Sequence, residues 1–283
     1  MKNTFGQSLT VTLFGESHGA AVGAVVDGLA PGLPVSREEI ERQLARRRPS
    51  DALSTARKEE DAFELLSGVF DGHTTGTPLC IVIPNRDTRS GDYSYGLARP
   101  SHADYAAYRK YHGYEDYRGG GHFSGRITAA LAAVGGILLP ALHRRGIEIG
   151  THILRCGGVA DRAFSDLAPE LSLLRTRAFP TLDPLRGEEM AERIRAAAQE
   201  NDSVGGIAQT AVLGLPAGLG EPWFDSVEGL LSHALFSLGG VKGVEFGAGF
   251  AVADLRASVC NDALSMQDGR VVTKTNRNGG ING

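Results

Sequence analysis

Short apolar runs broken by glycine and polar residues dominate the first third of the chain. Residues 9–14 and 24–26 combine β-branched and other apolar side chains over lengths typical of strands. The same kind of run recurs further along the chain. The pattern predicts strands at residues 9–14, 24–26, 63–70, 79–83, 205–215 and 244–255.

A second set of segments repeats its apolar residues at helical spacing. Ser36 followed three residues later by Glu39 is a capping-box pattern, which places a helix start at residue 37. Ser101 is the predicted cap of a second helix, and the segment after Gly125 is apolar on most of its surface, as in a buried central helix. The spacing predicts helices at residues 37–46, 101–112, 125–143, 187–200 and 225–238.

No low-complexity linker interrupts the sequence, which favours a single domain over residues 1–283. A weak internal echo relates residues 25–33 to residues 212–219. Two related halves and a chance likeness between glycine-rich turns both explain it.

Composition and charge exclude several classes of protein. The chain is 42% hydrophobic and 22% charged, with a net charge of −4, which argues against non-specific nucleic-acid binding but leaves room for a local basic pocket. The three cysteines lie far apart without a CxxC pair, so we expect reduced thiols in the cytoplasm, no disulfide framework and no metal site. No signal peptide is recognisable, and no apolar run approaches the ~18 residues of a membrane span.

The most informative stretch is Gly15-Glu16-Ser17-His18-Gly19, directly after the first predicted strand. Glycine lets the backbone approach a ligand, and histidine exchanges protons near neutral pH, so this turn is a candidate edge of an active site. The stretch also fits G-x-S-x-G, the nucleophile elbow of serine hydrolases with Ser17 as nucleophile. That elbow needs a helix directly after it, whereas the sequence here predicts extended chain.

Two further segments combine a predicted helix start with groups that bind anions. His102 stands at the predicted start of a helix, where backbone N–H groups favour anions; the alternative is a histidine that only contacts water. Three glycines before Ser124 and Arg126 form a run of N–H donors suited to a phosphate, or else a flexible turn that leads into a helix. The spacing matches neither common nucleotide-binding fingerprint.

The run Arg46-Arg47-Arg48 closes the first predicted helix. Cations at a helix C-terminus complement the helix dipole, which explains them without a ligand. Arginines that converge on one pocket would instead select a ligand with several negative charges.

Taken together, these segments resemble the chorismate synthase family. The resemblance covers essentially the whole chain, and the matching blocks occur in the family's order. They are Gly15 to Gly19 with residues 24–28, residues 46–49, 68–72, 74–78, 99–104, 110–111, 116–121, 241–245 and 276–280.

The resemblance implies an α+β fold, a β-α-β sandwich with helices packed between antiparallel sheets, and assembly as a homotetramer. It implies a cytoplasmic lyase of aromatic amino-acid biosynthesis, which eliminates phosphate from 5-enolpyruvylshikimate 3-phosphate to give chorismate with the help of reduced FMN. Whether NADPH reduces the flavin indirectly, and whether an external flavin reductase takes part, stays open.

Site residues also follow from the resemblance. His18 would donate a proton near the leaving phosphate, and His102 would control the proton at the reduced flavin. Arg47, Arg48, Arg99 and Arg126 match positions that hold substrate or cofactor anions. The positions that line FMN in the family correspond to His122, Phe123, Ser124, Gly239, Gly240 and Gly283.

The chain departs from the family pattern in two places. His122 and Phe123 stand where many members have arginine and serine. The sequence stops at Gly283, ahead of a segment that supplies flavin contacts, phosphate contacts and a catalytic aspartate in the family. A non-catalytic, truncated protein that folds and binds flavin or partner subunits is therefore the alternative to an active enzyme.

Overall fold

Segments with strand-like spacing form antiparallel sheets in the structure, a computed structural model that describes residues 2–48, 53, 59–88 and 90–282. The chain divides into two units, residues 1–215 and 216–283, and the predicted single domain stays a prediction. The strands of the first unit are β1 Thr4–Gly6, β2 Thr10–Gly15, β3 Ala21–Asp27, β4 Glu64–Ser67, β5 Val69–Phe70, β6 His73–Thr74, β7 Leu79–Pro84, β8 Glu148–Cys156, β9 Val159–Ala160 and β10 Gly206–Leu213.

Within the described residues, the first unit also contains five helices and three 3-10 turns. They are α1 Arg37–Arg47, α2 Asp104–Tyr111, α3 Thr128–Arg144, α4 Leu167–Leu174 and α5 Pro184–Gln199, with 3-10 turns at Ser90–Asp92, Arg118–Phe123 and Gly125–Ile127. The second unit contains α6 Val227–Phe236, a 3-10 segment at Gly249–Asp254, α7 Ala257–Cys260 and the hairpin of β11 Leu264–Gln267 with β12 Arg270–Thr273. The mixed α+β class predicted from the resemblance is confirmed.

The main sheet has the order β1-β2-β3-β7-β4, with antiparallel neighbours throughout. Val22, Ala24 and Val26 alternate along β3 and are fully or almost fully buried, because successive side chains of a strand point to opposite faces. Residues of β7 do the same on the same core, where they meet α1 and α3. A second sheet, in the order β10-β8-β9, packs against α4 and α5.

Helix α1 begins as its sequence predicts, with the Ser36 side chain accepting a hydrogen bond from the Glu39 N–H at 3.1 Å. The second half of a capping box is absent from the described contacts of Glu39, whose carboxylate binds Arg42 and Gln43 instead. Ile40 and Leu44 then point into the core that α1 shares with α3.

A close approach of α1 and α3 depends on Gly136. A Cβ at Gly136 would lie 2.6 Å from the Cα of Ile40, so the two backbones touch with no room for a side chain. Gly135, the preceding residue of the same helix, has nothing within 4 Å of the same position.

Replacing Gly136 with alanine is expected to lower the free energy of unfolding by about 1–3 kcal/mol, because the added methyl overpacks the interface of the two helices. The matched change Gly135→Ala is expected to raise it by up to about 1 kcal/mol, since alanine favours a helix over glycine. Urea denaturation of both variants measures the difference, and equal effects would contradict the close approach.

Most predicted elements are confirmed, with shifted ends. The strands at 9–14, 24–26, 79–83 and 205–215 and the helices at 37–46, 125–143, 187–200 and 225–238 correspond to β2, β3, β7, β10, α1, α3, α5 and α6. The extended run at 63–70 is split into β4 and β5 at Gly68, which has a φ of +81°.

Two predictions were wrong. Residues 244–255 do not form a strand: Gly247 and Gly249 have φ values of +59° and +54°, which a strand cannot contain, and a 3-10 segment follows. Ser101 does not cap α2, because it has a left-handed φ of +59° and the helix begins only at Asp104.

Residues 125–144, which comprise α3 and the turn before it, are long and apolar enough to cross a membrane by length and composition alone. In the fold this helix packs against α1, β3 and β7, and Ala129, Ala130 and Ala133 are completely buried there. Its apolar surface therefore belongs to the core of the first unit.

Candidate active site

His18 lies in the turn that joins β2 to β3. The Ser17 side of this turn is held by a hydrogen bond from its N–H to the carbonyl of Gly121 at 3.0 Å. Ser17 is only 1% exposed, and the chain continues into a strand at Ala21. A nucleophile elbow needs an accessible serine on a strand-to-helix turn, so the structure speaks against the serine-hydrolase alternative.

The glycine run after Arg118 forms a wall against His18. Gly119, Gly120 and Gly121 have φ values of 59°, 81° and 54°, a backbone that side chains other than glycine rarely adopt. A Cβ at Gly119 would overlap Cε1 and Nδ1 of the His18 ring and lie 2.8 Å from Oγ of Ser17. The run therefore packs directly on the candidate catalytic imidazole.

Tyr93 lies between His18 and Arg99. Its ring centroid is 5.2 Å from that of His18, with the planes at 75°, and the guanidinium of Arg99 lies 5.4 Å from the same Tyr93 centroid. Two predicted site residues are thus brought to one aromatic ring. Edge-to-face and cation–π contacts of this kind stabilise both partners.

Arg99 is held by Asp104, the first residue of α2. The side chains form a bidentate pair with both N···O distances at 2.9 Å, and Asp104 also accepts the backbone N–H of Arg99 at 2.9 Å. These hydrogen bonds from Arg99 lower the pKa of Asp104 from 3.8 to about 2. His102 is exposed two residues before the helix, with Nδ1 3.0 Å from the carbonyl of Pro100.

The Arg99–Asp104 pair predicts a pH-dependent contribution to stability. The pKa of Asp104 is lower in the folded protein than its ordinary value of 3.8, so its contribution is fully present above about pH 4 and is lost as the pH falls toward 2. We expect Asp104→Asn to destabilise the protein at pH 6 and to match the wild type progressively as the pH approaches 2.

Urea midpoints measured from pH 6 down to pH 3 test this expectation. Asp166→Asn serves as the matched control, because Asp166 is exposed and its side chain makes no capping hydrogen bond. A constant difference between Asp104→Asn and the wild type across this range would contradict the assignment.

Arg126 is buried, at 4% exposure, in an ion pair with Asp61. Asp61 also accepts from Arg47 at 3.0 Å, so one buried carboxylate serves two of the predicted substrate arginines. Two guanidinium groups around one carboxylate leave a net positive charge. For Arg48, Nε is buried and has no hydrogen-bond partner among the described residues, which leaves this donor available to an anion.

A cavity of about 840 Å³, within the size range of small-molecule sites, is lined in part by Tyr93, Arg99 and Asp104. Its walls contain all seven tyrosines of the chain, Tyr93, Tyr95, Tyr105, Tyr108, Tyr111, Tyr114 and Tyr117. Arg99, His122 and Phe123 also line it. The other predicted site residues of the first unit contribute none of its described lining: His18, His102, Arg47, Arg48, Ser124 and Arg126.

Three charged residues of the cavity wall form ion pairs: Arg99 with Asp104, and Asp116 with Arg118. A hydrogen bond from Arg118 lowers the pKa of Asp116, as Arg99 does for Asp104. The wall also contains Glu115, whose Oε2 is buried and has no hydrogen-bond partner among the residues described. The wall thus offers one unsatisfied acceptor to a ligand that carries an N–H or O–H donor.

The remaining predicted flavin residues are distributed over both units. Nδ1 of His122 lies 2.7 Å from the carbonyl of Gly15, and Ser124 accepts the Arg126 N–H at 3.2 Å. Gly239 and Gly240 belong to the second unit, and Gly283 lies outside the described residues. Within the described part of the chain, no group of three or more His, Cys, Asp or Glu side chains is arranged to hold a metal ion.

Sequence reasoning missed four residues of this region: Asp61, Tyr93, Asn85 and Glu115. The crowding of every tyrosine into residues 93–117 is readable from the sequence and could have indicated an aromatic site. Asp61 carries no such signal, because it lies in a polar stretch outside any strand or helix.

Comparisons with known proteins give one consistent result. A family model described as chorismate synthase matches residues 9–283. Chorismate synthases of Thermococcus kodakarensis and Pyrococcus abyssi are 45% and 46% identical over 280 residues, which is 98% of this chain and 78% of each relative. A crystal structure of chorismate synthase superposes with a TM-score of 0.80 at 28% identity, over 98% of this chain and 80% of the other, and so confirms the fold predicted from the resemblance.

Proposed function

Because the chain belongs to the chorismate synthase family, we propose that it is a lyase that converts 5-enolpyruvylshikimate 3-phosphate into chorismate and phosphate by 1,4-trans elimination. The observation that carries the proposal is the convergence of His18, Tyr93 and Arg99 beside the tyrosine-lined cavity. His18 can act as a general acid, Arg99 can bind an anion, and Tyr93 provides an aromatic surface. The elimination of phosphate from an anionic substrate requires groups of these kinds.

The cavity fits the reduced FMN that the family resemblance implies. Tyrosine rings and Phe123 suit a planar ring system, and the buried Oε2 of Glu115 suits an N–H donor of that ring. His122 and Phe123 would hold the cofactor with these rings. Ser124, Gly239, Gly240 and Gly283 match positions that line FMN in the family, and we propose them as flavin contacts on that basis. When bound, reduced flavin supplies electron density as the C–O bond to phosphate breaks.

His18 is the proposed proton donor to the departing phosphate. A positioned general acid accelerates such a step by roughly 10²–10⁴-fold. The glycine wall and the Tyr93 ring restrict the imidazole on two sides, which supports a fixed orientation toward one reacting atom. His102, exposed before α2, is the proposed regulator of the flavin proton.

The substrate carries one phosphate and two carboxylates, and the proposed anion ligands are Arg47, Arg48, Arg99 and Arg126. The free Nε of Arg48 and the positive charge around Asp61 support this role. Arg126 is the weakest member of the set as an anion ligand, since its guanidinium already binds Asp61 and Asn85. Charge-assisted hydrogen bonds to such oxygens contribute roughly 1.5–3 kcal/mol each.

Assembly as a homotetramer, a cytoplasmic location and NADPH-dependent supply of reduced flavin, directly or through an external reductase, complete the proposal. These three points are proposed from membership of the family.

An anaerobic assay tests the proposal. The chain is incubated with 5-enolpyruvylshikimate 3-phosphate and photoreduced FMN, and chorismate and phosphate are measured together. We expect equal amounts of both products and no reaction with oxidised FMN. Binding of flavin and substrate without chorismate would instead favour the non-catalytic alternative.

A further inference from the structure

Asn85 follows β7 directly and donates every N–H it has to the turn that carries His18. Its Nδ2 reaches the carbonyls of Glu16 at 2.9 Å and Gly19 at 2.8 Å, which lie on either side of His18. Its backbone N–H reaches the carbonyl of Ala20 at 3.1 Å. Three hydrogen bonds, to the carbonyls of residues 16, 19 and 20, thus connect the turn to the end of a core strand.

Arg126 fixes the orientation of the Asn85 side-chain amide. Its Oδ1 accepts Nε of Arg126 at 3.0 Å, and a guanidinium offers only donors, so the amide oxygen must face Arg126 and the NH₂ group must face the turn. Arg126 in turn is held by its buried ion pair with Asp61. The amide therefore has one arrangement that satisfies all its partners.

The turn needs this support because glycines stand at both of its ends. Gly15 has a φ of +98°, and the described contacts within the turn include one weak backbone bond, from Gly19 N–H to the Glu16 carbonyl at 3.2 Å. Outside contacts come from the Gly121 carbonyl to Ser17 on one side and from Asn85 on the other. The Asn85 contacts are the ones that bracket His18.

We propose that Asn85 is a positioning residue that fixes His18 for proton transfer, and that Arg126 acts on the reaction through Asn85. The inference rests on the proposed function. A general acid displaced by about 1 Å loses on the order of 10² in rate. The position of this turn therefore affects the rate about as strongly as the presence of the imidazole itself. Arg126 is the one proposed anion ligand that contacts the Asn85 amide, and its guanidinium already binds Asp61 and Asn85. Substrate binding therefore depends mainly on Arg47, Arg48 and Arg99, which make none of the Asn85 contacts described.

The test is Asn85→Asp. Aspartate has the same shape and keeps an oxygen for Arg126, but it replaces the donating NH₂ by an oxygen that repels the carbonyls of Glu16 and Gly19. We expect kcat to fall by about tenfold or more with KM changed by less than about threefold. We also expect faster hydrogen exchange of the amides of residues 16–20, an altered NMR signal of the His18 ring, and unchanged exchange in α3.

Asn201→Asp is the matched control, because Asn201 is exposed at the end of α5 and far along the chain from the site. If Asn85→Asp does not fold, Asn85→Ser takes its place, since serine is neutral and smaller and loses the same two bonds. A kcat within twofold of the wild type, or unchanged exchange of residues 16–20, would overturn the inference.

The two proposals fail in different ways. If the wild-type chain makes no chorismate, the proposed lyase function fails, while hydrogen exchange and the His18 ring signal still show whether Asn85 holds the turn. If the wild type is active and Asn85→Asp equals it, only the positioning role is lost.

Discussion

Replacing His18 with alanine is expected to lower kcat by about two orders of magnitude or more, with flavin binding and the fold retained. The imidazole lies against the Tyr93 ring and the glycine wall, and it contributes little to the core, so its loss removes a proton donor and leaves the architecture in place. Steady-state rates of chorismate formation with photoreduced FMN measure the effect.

His73→Ala provides the comparison for this measurement. His73 is exposed in β6, and its Nδ1 contacts only the carbonyl of Asp71 at 2.7 Å among the contacts described. It should keep the wild-type rate. Near-normal turnover of His18→Ala would remove His18 from the mechanism and with it the central residue of the proposed site.

Replacing Gly119 with alanine is expected to reduce kcat by about 10²-fold although no reacting group is removed. The new methyl would occupy the space of Cε1 and Nδ1 of the His18 ring, and so the imidazole must move away from its present position. The same assay measures the rate, and circular dichroism establishes that the helices and sheets persist.

Gly72→Ala separates this displacement from backbone strain. Gly72 has a φ of +69°, similar to the +59° of Gly119, but nothing lies within 4 Å of its hypothetical Cβ. Both variants pay a similar strain of about 1–2 kcal/mol for a left-handed alanine, and only Gly119→Ala displaces His18. Equal activities of the two variants would show that the glycine wall does not set the position of the imidazole.

Local patterns predicted the elements whose boundaries are decided by nearby residues. Ser36 and the spacing of Ile40 and Leu44 were enough to predict α1, because a few neighbouring residues determine both its N-cap and its buried face. The prediction failed where glycines set the backbone: apolar residues 244–255 satisfy a strand pattern, but Gly247 and Gly249 have positive φ. Positive φ is an outcome of tertiary contacts that composition does not reveal.

The candidate site was likewise predictable from the sequence only in part. The turn of His18 and the glycine run at 119–121 were recognisable as motifs, and the structure brings them into contact. The residues that hold these two motifs in place were not predictable. Asp61 and Asn85 both bind Arg126, which lies 65 and 41 residues further along the chain. Long-range pairing of single polar residues leaves no periodic signal in one sequence.

The placement of the tyrosines allows ligand binding in the cavity to be followed by intrinsic fluorescence. Because all seven line the same walls, ultraviolet emission of the phenol rings reports on this cavity. A flavin that enters the cavity would quench the phenol signal by energy transfer over a few ångströms. Occupancy can therefore be titrated with the unlabelled, unmodified chain.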